Sequence, residues 1–321
     1  MLYEDYDLWY SWQHSEPFRA ILARGRWQHA SLSLTGDHIT LMVTEKIGGN
    51  NSLSTARALL IFLFLSGVNF GCGTLSNGRG WGQDATLSPG WERIQQASWN
   101  AVAAPETWVP AAGALAFLVD NADKNVSEWA AKNTPVFGSQ HNADQMSTAM
   151  LDATGAIWIA SGLVAPSGDS TAGWIEAKAK GFGVEGGAGI VTLGTVEVLK
   201  TTVQRTRPDG SDKQSFPSGH STGAAFFSTV SSRNIEALSW SEGTTTAAQI
   251  GLGALTAATA WARVEANKHY PSDVLAGVAI GHFFGAFLTD AFLGLDNPRH
   301  VLVLVEPSRE GAIALVQFNF E

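Results

Sequence analysis

Cations, histidines and a carboxylate recur at close spacing in three short stretches of the second half of the chain. The stretches are "KTTVQRTRP" with Lys200 and Arg207, "PSGH" with His220, and "ARVEANKHYPSD" with Arg263, His269 and Asp273. A phosphoryl group carries about two negative charges and three acceptor oxygens. Three cations can neutralise it, and a guanidinium fork suits bidentate contact with its oxygens. The three stretches together therefore indicate chemistry on a phosphate group.

The stretch "SFPSGH" precedes the helical pattern "STGAAFFSTV". On its own it is ordinary turn chemistry, and a histidine after it is most often a helix-start residue without a catalytic role. Beside three cations the same stretch indicates an anion-binding site, because the free N–H groups and positive dipole end of a helix start attract an anion. Ser218 adds a hydroxyl, and Gly219 permits close approach of the backbone.

The third stretch places a histidine and a carboxylate on either side of a predicted helix start. Pro271 suits the first turn of a helix, so Asp273 lies in that turn and can reach back to the His269 ring. A carboxylate on one ring nitrogen fixes the tautomer and leaves the other nitrogen as a nucleophile. Taken alone, His269 reads as a loop histidine and Asp273 as a helix-terminal charge.

In order and internal spacing, the three stretches resemble the signature of the type 2 phosphatidic acid phosphatase superfamily. That superfamily also contains bacterial non-specific acid phosphatases and vanadium-dependent haloperoxidases. The family spacing selects Arg207, not Arg205, as the phosphate ligand. One position departs from the pattern, since Ala262 stands where the family usually has a serine. We expect that change to remove a hydrogen bond and leave the chemistry intact.

The resemblance implies a metal-independent hydrolase of a phosphomonoester or pyrophosphate, with a lipid phosphate favoured over a small soluble phosphoester. It implies catalytic roles for His269 as the nucleophile that forms a phosphohistidine, His220 as the acid and base, and Asp273. It implies phosphate binding by Lys200, Arg207, Ser218, Gly219 and Arg263, and neither metal nor cofactor. Two alternatives stay open, a vanadium-dependent haloperoxidase and a non-catalytic envelope lipoprotein.

The N-terminal region contains a second resemblance, to the export signal of a bacterial lipoprotein. The apolar run Ala58–Phe70 is too short to span a bilayer but fits a signal-peptide core, with Arg57 as its positive flank. Cys72 follows Gly71, although Asn69 departs from the usual box. The other interpretation is a short buried helix with an ordinary free cysteine.

We expect Met42 to be the true start, because residues 1–41 place acidic side chains ahead of the apolar run. Residues 1–41 would then be absent from the mature protein, 42–71 would be a signal peptide, and Cys72 would be lipidated. The predicted location is the bacterial cell envelope, anchored to the membrane and facing the periplasm. The alternative is an integral membrane protein.

The remaining chain predicts a mainly α fold, a helical bundle of the phosphatidic acid phosphatase type 2/haloperoxidase kind with a short C-terminal β-hairpin. Its predicted divisions are an irregular lead-in at 72–95, a phosphatase helical domain at 96–296 and the hairpin tail at 297–321. Gly168–Gly187 predicts a glycine-rich connection. Only 15% of the residues are charged, which fits an Ala/Gly-rich interior or membrane contact. The net charge of −9 argues against a nucleic-acid partner.

Overall fold

The computed structural model describes residues 74–75, 78–168 and 170–294 with their side chains, and the backbone of four strands. The chain divides into an N-terminal unit, Met1–Ala58, and a second unit, Leu59–Glu321. The first unit contains an antiparallel strand pair, β1 (Trp27–Thr35) and β2 (His38–Glu45). The second contains the helices, followed by the antiparallel strands β3 (Val301–Ser308) and β4 (Gly311–Phe318).

Eight α-helices lie within the described part of the second unit, so the predicted mainly α fold is confirmed. They are α1 (Trp91–Ala103), α2 (Pro105–Phe117), α3 (Ala122–Asn133), α4 (Gln140–Val164), α5 (Thr171–Val203), α6 (Gly219–Glu236), α7 (Glu242–Glu265) and α8 (Pro271–Leu288). A π-helical turn, Thr289–Leu293, ends α8. Residues 46–71 of the predicted signal peptide (42–71) and the predicted lipidation site Cys72 lie outside the described residues.

The structure corrects the prediction of a connection at Gly168–Gly187, because α5 is continuous from Thr171. One of its glycines, Gly181, serves close packing instead of a turn. A Cβ at Gly181 would lie 2.4 Å from the Trp81 ring, so only glycine lets that ring pack against the helix there. The predicted helical domain also contains α3, whose sequence "ADKNVSEWAAKN" is mostly polar and buries only small or polar side chains.

Helix α6 is the centre of the bundle and packs against α4, α5, α7 and α8. Twelve of its residues are buried, and many of these are Ser or Thr. Two of these hydroxyls are satisfied within the helix, since Thr222 and Thr229 donate to the carbonyls of Ser218 (2.9 Å) and Ala225 (2.8 Å). A helix of small side chains can therefore be surrounded on all sides.

Glycines spaced four residues apart on α8 set its distance from α6. A Cβ at Gly281 would lie 2.2 Å from the Thr222 carbonyl oxygen, and one at Gly277 would lie 2.7 Å from the Ser218 carbonyl oxygen. Any larger residue would force the two helices apart. This contact brings the start of α6 next to the start of α8, where the predicted site residues lie.

Three described helices are long and apolar enough to cross a membrane: α4, α5 and α8 with its π-helical turn. Only 28%, 22% and 44% of their most apolar windows are buried inside the protein. Exposed side chains on α5 such as Ile190 and Leu193 account for part of this apolar surface. These helices indicate a membrane protein, and they favour the integral alternative over a water-soluble bundle held only by a lipid anchor.

Candidate active site

The predicted site residues lie at helix ends that meet at one end of the bundle. Lys200 is in the last turn of α5, His220 in the first turn of α6 and Arg263 in the last turn of α7. The loop before α8 contributes His269. The backbone N–H of Ser218 donates to the Asp273 carbonyl at 3.1 Å, which joins the loop before α6 to the first turn of α8.

The start of α6 is built as an anion-binding turn. Ser218 is the N-cap, and its buried hydroxyl accepts from the Ser221 N–H (3.4 Å) and hydroxyl (3.0 Å). The N–H groups of Gly219 and His220 have no partner within the helix, as is general for a first turn. A Cβ on Gly219 would lie 3.5 Å from the Lys200 ammonium, so this cation sits directly over the turn.

His269 is buried, with 2% of its surface exposed, and its ring orientation is fixed by a backbone carbonyl. Nδ1 lies 2.6 Å from the Ser215 carbonyl oxygen. Because that oxygen can only accept, Nδ1 carries the proton and Nε2 keeps its lone pair. Burial, reinforced by Arg263 and Arg207, lowers the pKa of His269 well below its usual value and keeps the ring neutral.

The predicted contact between Asp273 and the His269 ring is corrected by the structure. The carboxylate lies in the first turn of α8 as expected, but its nearest approach to Nδ1 is 4.0 Å. Its oxygens are already occupied. Oδ2 accepts from the Ser215 hydroxyl (2.5 Å) and the Tyr270 N–H (2.9 Å), and Oδ1 accepts from Arg205 (2.6 Å). Asp273 thus reaches His269 through Ser215.

His220 faces the other side of the site. Its Nε2 lies 3.3 Å from the Thr148 hydroxyl of α4. Burial lowers its pKa to about 4, with further contributions from Arg263, Lys200 and Arg207. The positive charges of Lys200, Arg207 and Arg263 thus disfavour the charged form of His220. A neutral histidine so close to three cations would gain a proton readily once an anion arrives.

Each of the three predicted phosphate cations already has a carboxylate partner. Lys200 contacts Glu197 at 2.8 Å, Arg207 contacts Asp212 at 2.7 Å, and Arg263 contacts Asp144. Guanidinium groups have five donors, so they can hold a carboxylate and still bind a phosphate. Within the described part of the chain, the buried Nε of Arg263 has no hydrogen-bond partner. The site therefore contains an unused, desolvated N–H donor.

Sequence reasoning missed several polar residues that complete the site. They are Asp123 of α3, Asp144, Ser147 and Thr148 of α4, and Arg205, Ser215 and Ser272 in the stretches around the motifs. Arg205 is a partner of two buried carboxylates, which agrees with its exclusion as a phosphate ligand. Among the residues described with side chains, no group of three His, Cys, Asp or Glu could hold a metal ion.

One of three comparisons with known proteins, a family model, matches the part of the chain that contains the site. A search of curated proteins finds no match. A solved transmembrane PAP2-type phosphatidylglycerolphosphate phosphatase from Bacillus subtilis is similar at 19% identity and a TM-score of 0.44, covering 63% of this chain and all of that one. The PAP2 superfamily model matches residues 186–294, which contain the three motifs and both histidines, and this match supports a phosphatase-type function. This stretch of the chain is therefore similar to the PAP2 superfamily.

Proposed function

We propose that this protein is a membrane phosphohydrolase that cleaves a phosphomonoester or pyrophosphate, preferably of a lipid, through a phosphohistidine on His269. The observation that carries the proposal is the buried, unpartnered Nε of Arg263 beside a neutral His269 and His220. Desolvated donors that wait for charge are the main source of electrostatic catalysis. The match of residues 186–294 to the PAP2 superfamily model supports the same reaction class.

In the first step, the lone pair of His269 Nε2 attacks phosphorus and the bond to the leaving oxygen breaks. The proton stays on Nδ1 and remains hydrogen-bonded to the Ser215 carbonyl. This hydrogen bond stabilises the ring as it gains positive charge. His220 gives its proton to the leaving oxygen. A bound phosphate offsets the surrounding cations, so we expect substrate binding to raise the pKa of His220 from about 4 and load it with that proton.

In the second step, neutral His220 accepts a proton from water, whose oxygen attacks the phosphohistidine. The P–N bond breaks, inorganic phosphate leaves and His269 recovers its lone pair. Lys200, Arg207 and Arg263 neutralise the phosphoryl oxygens in both steps, and the first-turn N–H groups of α6 add two donors. Ser218 contributes through its cap, which holds that turn in place.

A lipid substrate follows from the apolar surface of the bundle. Helices α4, α5 and α8 each have one end at the active site, and each is long and apolar enough to cross a membrane. A substrate held by its tails in the same membrane would present its phosphate to that end. Lipidation of Cys72 and export from Met42 remain predictions from the sequence, as does orientation toward the periplasm.

Phosphate release by the detergent-purified protein tests this function. The panel should contain a lipid phosphomonoester, a lipid pyrophosphate and p-nitrophenyl phosphate, each with and without a strong chelator. We expect release that survives the chelator, is fastest for a lipid substrate and is inhibited by vanadate, which mimics the five-coordinate transition state. Activity that disappears in the chelator and returns with magnesium or zinc would contradict the cation-based site. Vanadate-dependent halide oxidation without phosphate release would favour the haloperoxidase alternative.

A further inference from the structure

A buried carboxylate outside the three motifs, that of Asp123, is linked to the nucleophile His269 by a chain of hydrogen bonds. Asp123 is the second residue of α3 and is 5% exposed. Burying a carboxylate is costly unless it is fully hydrogen-bonded. Its Oδ1 accepts from the Ser272 N–H (2.8 Å), and its Oδ2 accepts from the Ser272 hydroxyl and from Arg205 (2.6 Å). All its partners belong to the loop before α6 or the first turn of α8.

Arg205 connects this carboxylate to Asp273. One end of its guanidinium donates to Asp123 and the other to Asp273, both at 2.6 Å. Arg205 donates a third hydrogen bond to the Ser272 hydroxyl at 2.7 Å, and its Cζ lies 4.1 Å from the Tyr270 ring centroid. With one carboxylate at each end, the guanidinium has a single orientation. Loss of Asp123 would leave only one of the two anchors.

From Asp273 the chain of contacts reaches the nucleophile in two short steps. Asp273 Oδ2 holds the Ser215 hydroxyl and the Tyr270 N–H. Ser215 in turn holds His269 Nδ1, and Tyr270 is the residue next to His269. A displacement of about 1 Å at a reacting atom can cost about 100-fold in rate. Orientation of the nucleophile therefore depends on groups that never touch the substrate.

We propose that Asp123 is a positioning residue for His269, acting through Arg205, Ser272 and Asp273. The inference rests on the proposed phosphatase function. A purely structural contact between α3 and α8 would affect folding alone. A positioning role lowers the rate of the chemical step while leaving phosphate binding to Lys200, Arg207 and Arg263 intact.

The test compares Asp123→Asn with Glu128→Gln in detergent-purified protein. Glu128 lies on the same helix, is 68% exposed and contacts Lys124 at 3.7 Å, so it controls for loss of one charge from α3. For Asp123→Asn we expect kcat with p-nitrophenyl phosphate to fall about 10–100-fold, as for other residues that orient catalytic ligands. KM and the inhibition constant of inorganic phosphate should change less than about threefold, and Glu128→Gln should match the wild type.

Coupling to Asp273 separates positioning from folding. Combined with Asp273→Asn, the Asp123→Asn change should add less than about threefold to the loss of kcat, because both act through one network. Effects that multiply, or a folded Asp123→Asn protein with normal kcat, would overturn the inference while the phosphatase function stands. Wild-type protein that releases no phosphate would overturn both.

If Asp123→Asn does not fold, Ser272→Ala carries the test. It removes the hydroxyl that joins Asp123 to Arg205 without leaving a buried charge unpaired. We expect kcat to fall about 3–10-fold with the phosphate inhibition constant unchanged, and the fall should be absent in the Asp273→Asn background. A normal kcat for Ser272→Ala would overturn the inference.

Discussion

Two polar clusters lie at opposite ends of α5 and α6. The active-site end holds Lys200 and His220, and the tryptophan end is formed by Trp81, Trp158, Lys178, Glu185 and Asn234. At 1.5 Å per residue, the two lysines are about 33 Å apart along α5. At the tryptophan end, Lys178 is 5% exposed and donates to the carbonyls of Gly162 and Ala165 (2.6 Å). Its ammonium also lies 4.7 Å from the Trp81 ring centroid.

Both ends bury charge, but they leave different atoms without partners. Among the described residues, the unpartnered atom of the cluster at the tryptophan end is a carboxyl oxygen, Glu185 Oε1, whereas at the active site it is a nitrogen donor, Arg263 Nε. Trp81 closes the tryptophan end by donating to Asn234 at 2.8 Å. An anion can bind only where donors remain. The comparison indicates that a buried lysine alone does not mark a site, while unused N–H donors beside two neutral histidines do.

Removal of either active-site histidine, His269 or His220, should lower phosphatase activity more than any other single change. We expect His269→Ala to reduce phosphate release to background, because the site then has no nucleophile. His220→Gln should slow formation of the phosphohistidine from an alkyl phosphate about 10²–10⁴-fold and its formation from p-nitrophenyl phosphate much less, because that leaving group needs little protonation. Phosphate-release assays and burst kinetics of the first step, with His282→Gln as the control, check this. His282 is a histidine of α8 that contacts Thr107 at 2.7 Å. Near-normal activity of His269→Ala would show that the roles are misassigned.

Substitution of one cation at each end compares the two clusters directly. Arg263→Lys keeps the charge but loses the fork and its Nε, so kcat/KM should fall about 10–100-fold. Lys178→Met should lower the Tm by several degrees through lost hydrogen bonds, yet keep kcat/KM within about threefold. Activity assays and thermal unfolding of both variants give the comparison. An equal loss of activity in the two would mean that the ends do not differ in function.

The sequence indicates where two helices at the site begin, because the capping and turn residues Ser218 and Pro271 are local signals. In the structure α6 begins at Gly219 and α8 at Pro271. The partners of the motifs are different. Arg263 and Asp144 are 119 residues apart in the chain, and Arg205 and Asp123 are 82 apart. No local pattern indicates such pairs, since they form only when α3 and α4 pack at the site.

Close packing between α6 and α8 should affect both the stability of the bundle and the geometry of the active site. A methyl group at Gly281 would lie 2.2 Å from the Thr222 carbonyl oxygen. We expect Gly281→Ala to destabilise the protein by about 1–3 kcal/mol through overpacking and to lower kcat several-fold, because the starts of the two helices would separate. Gly194→Ala on α5 is the control, since a Cβ there meets nothing within 4 Å. It should stabilise by about 0.5–1 kcal/mol. Thermal unfolding that ranks the two variants in the opposite order would contradict the packing argument.

The smallest expected effect is on the stability of the folded protein at acidic pH. The pKa of His220 is about 4 in the folded protein and 6.5 in the reference state. Between these pH values the unfolded chain binds more protons than the folded one, so stability should fall as the pH drops from 6.5 to 4. His220→Gln should reduce this slope, and the exposed His141→Gln should not. Scanning fluorimetry from pH 7 to 4.5 measures it, and an unchanged slope in His220→Gln would mean that the histidine is not desolvated.

The most direct measurement is the identity of the covalent intermediate. His220→Gln protein should form the phosphohistidine with p-nitrophenyl phosphate and hydrolyse it slowly, because the base for the second step is missing. After alkaline quenching and digestion, mass spectrometry should find one phosphate on the peptide that contains His269, and the added His269→Ala change should remove it. Phosphate attached to another residue, or rapid turnover with no labelled histidine at any time, would contradict the proposed mechanism.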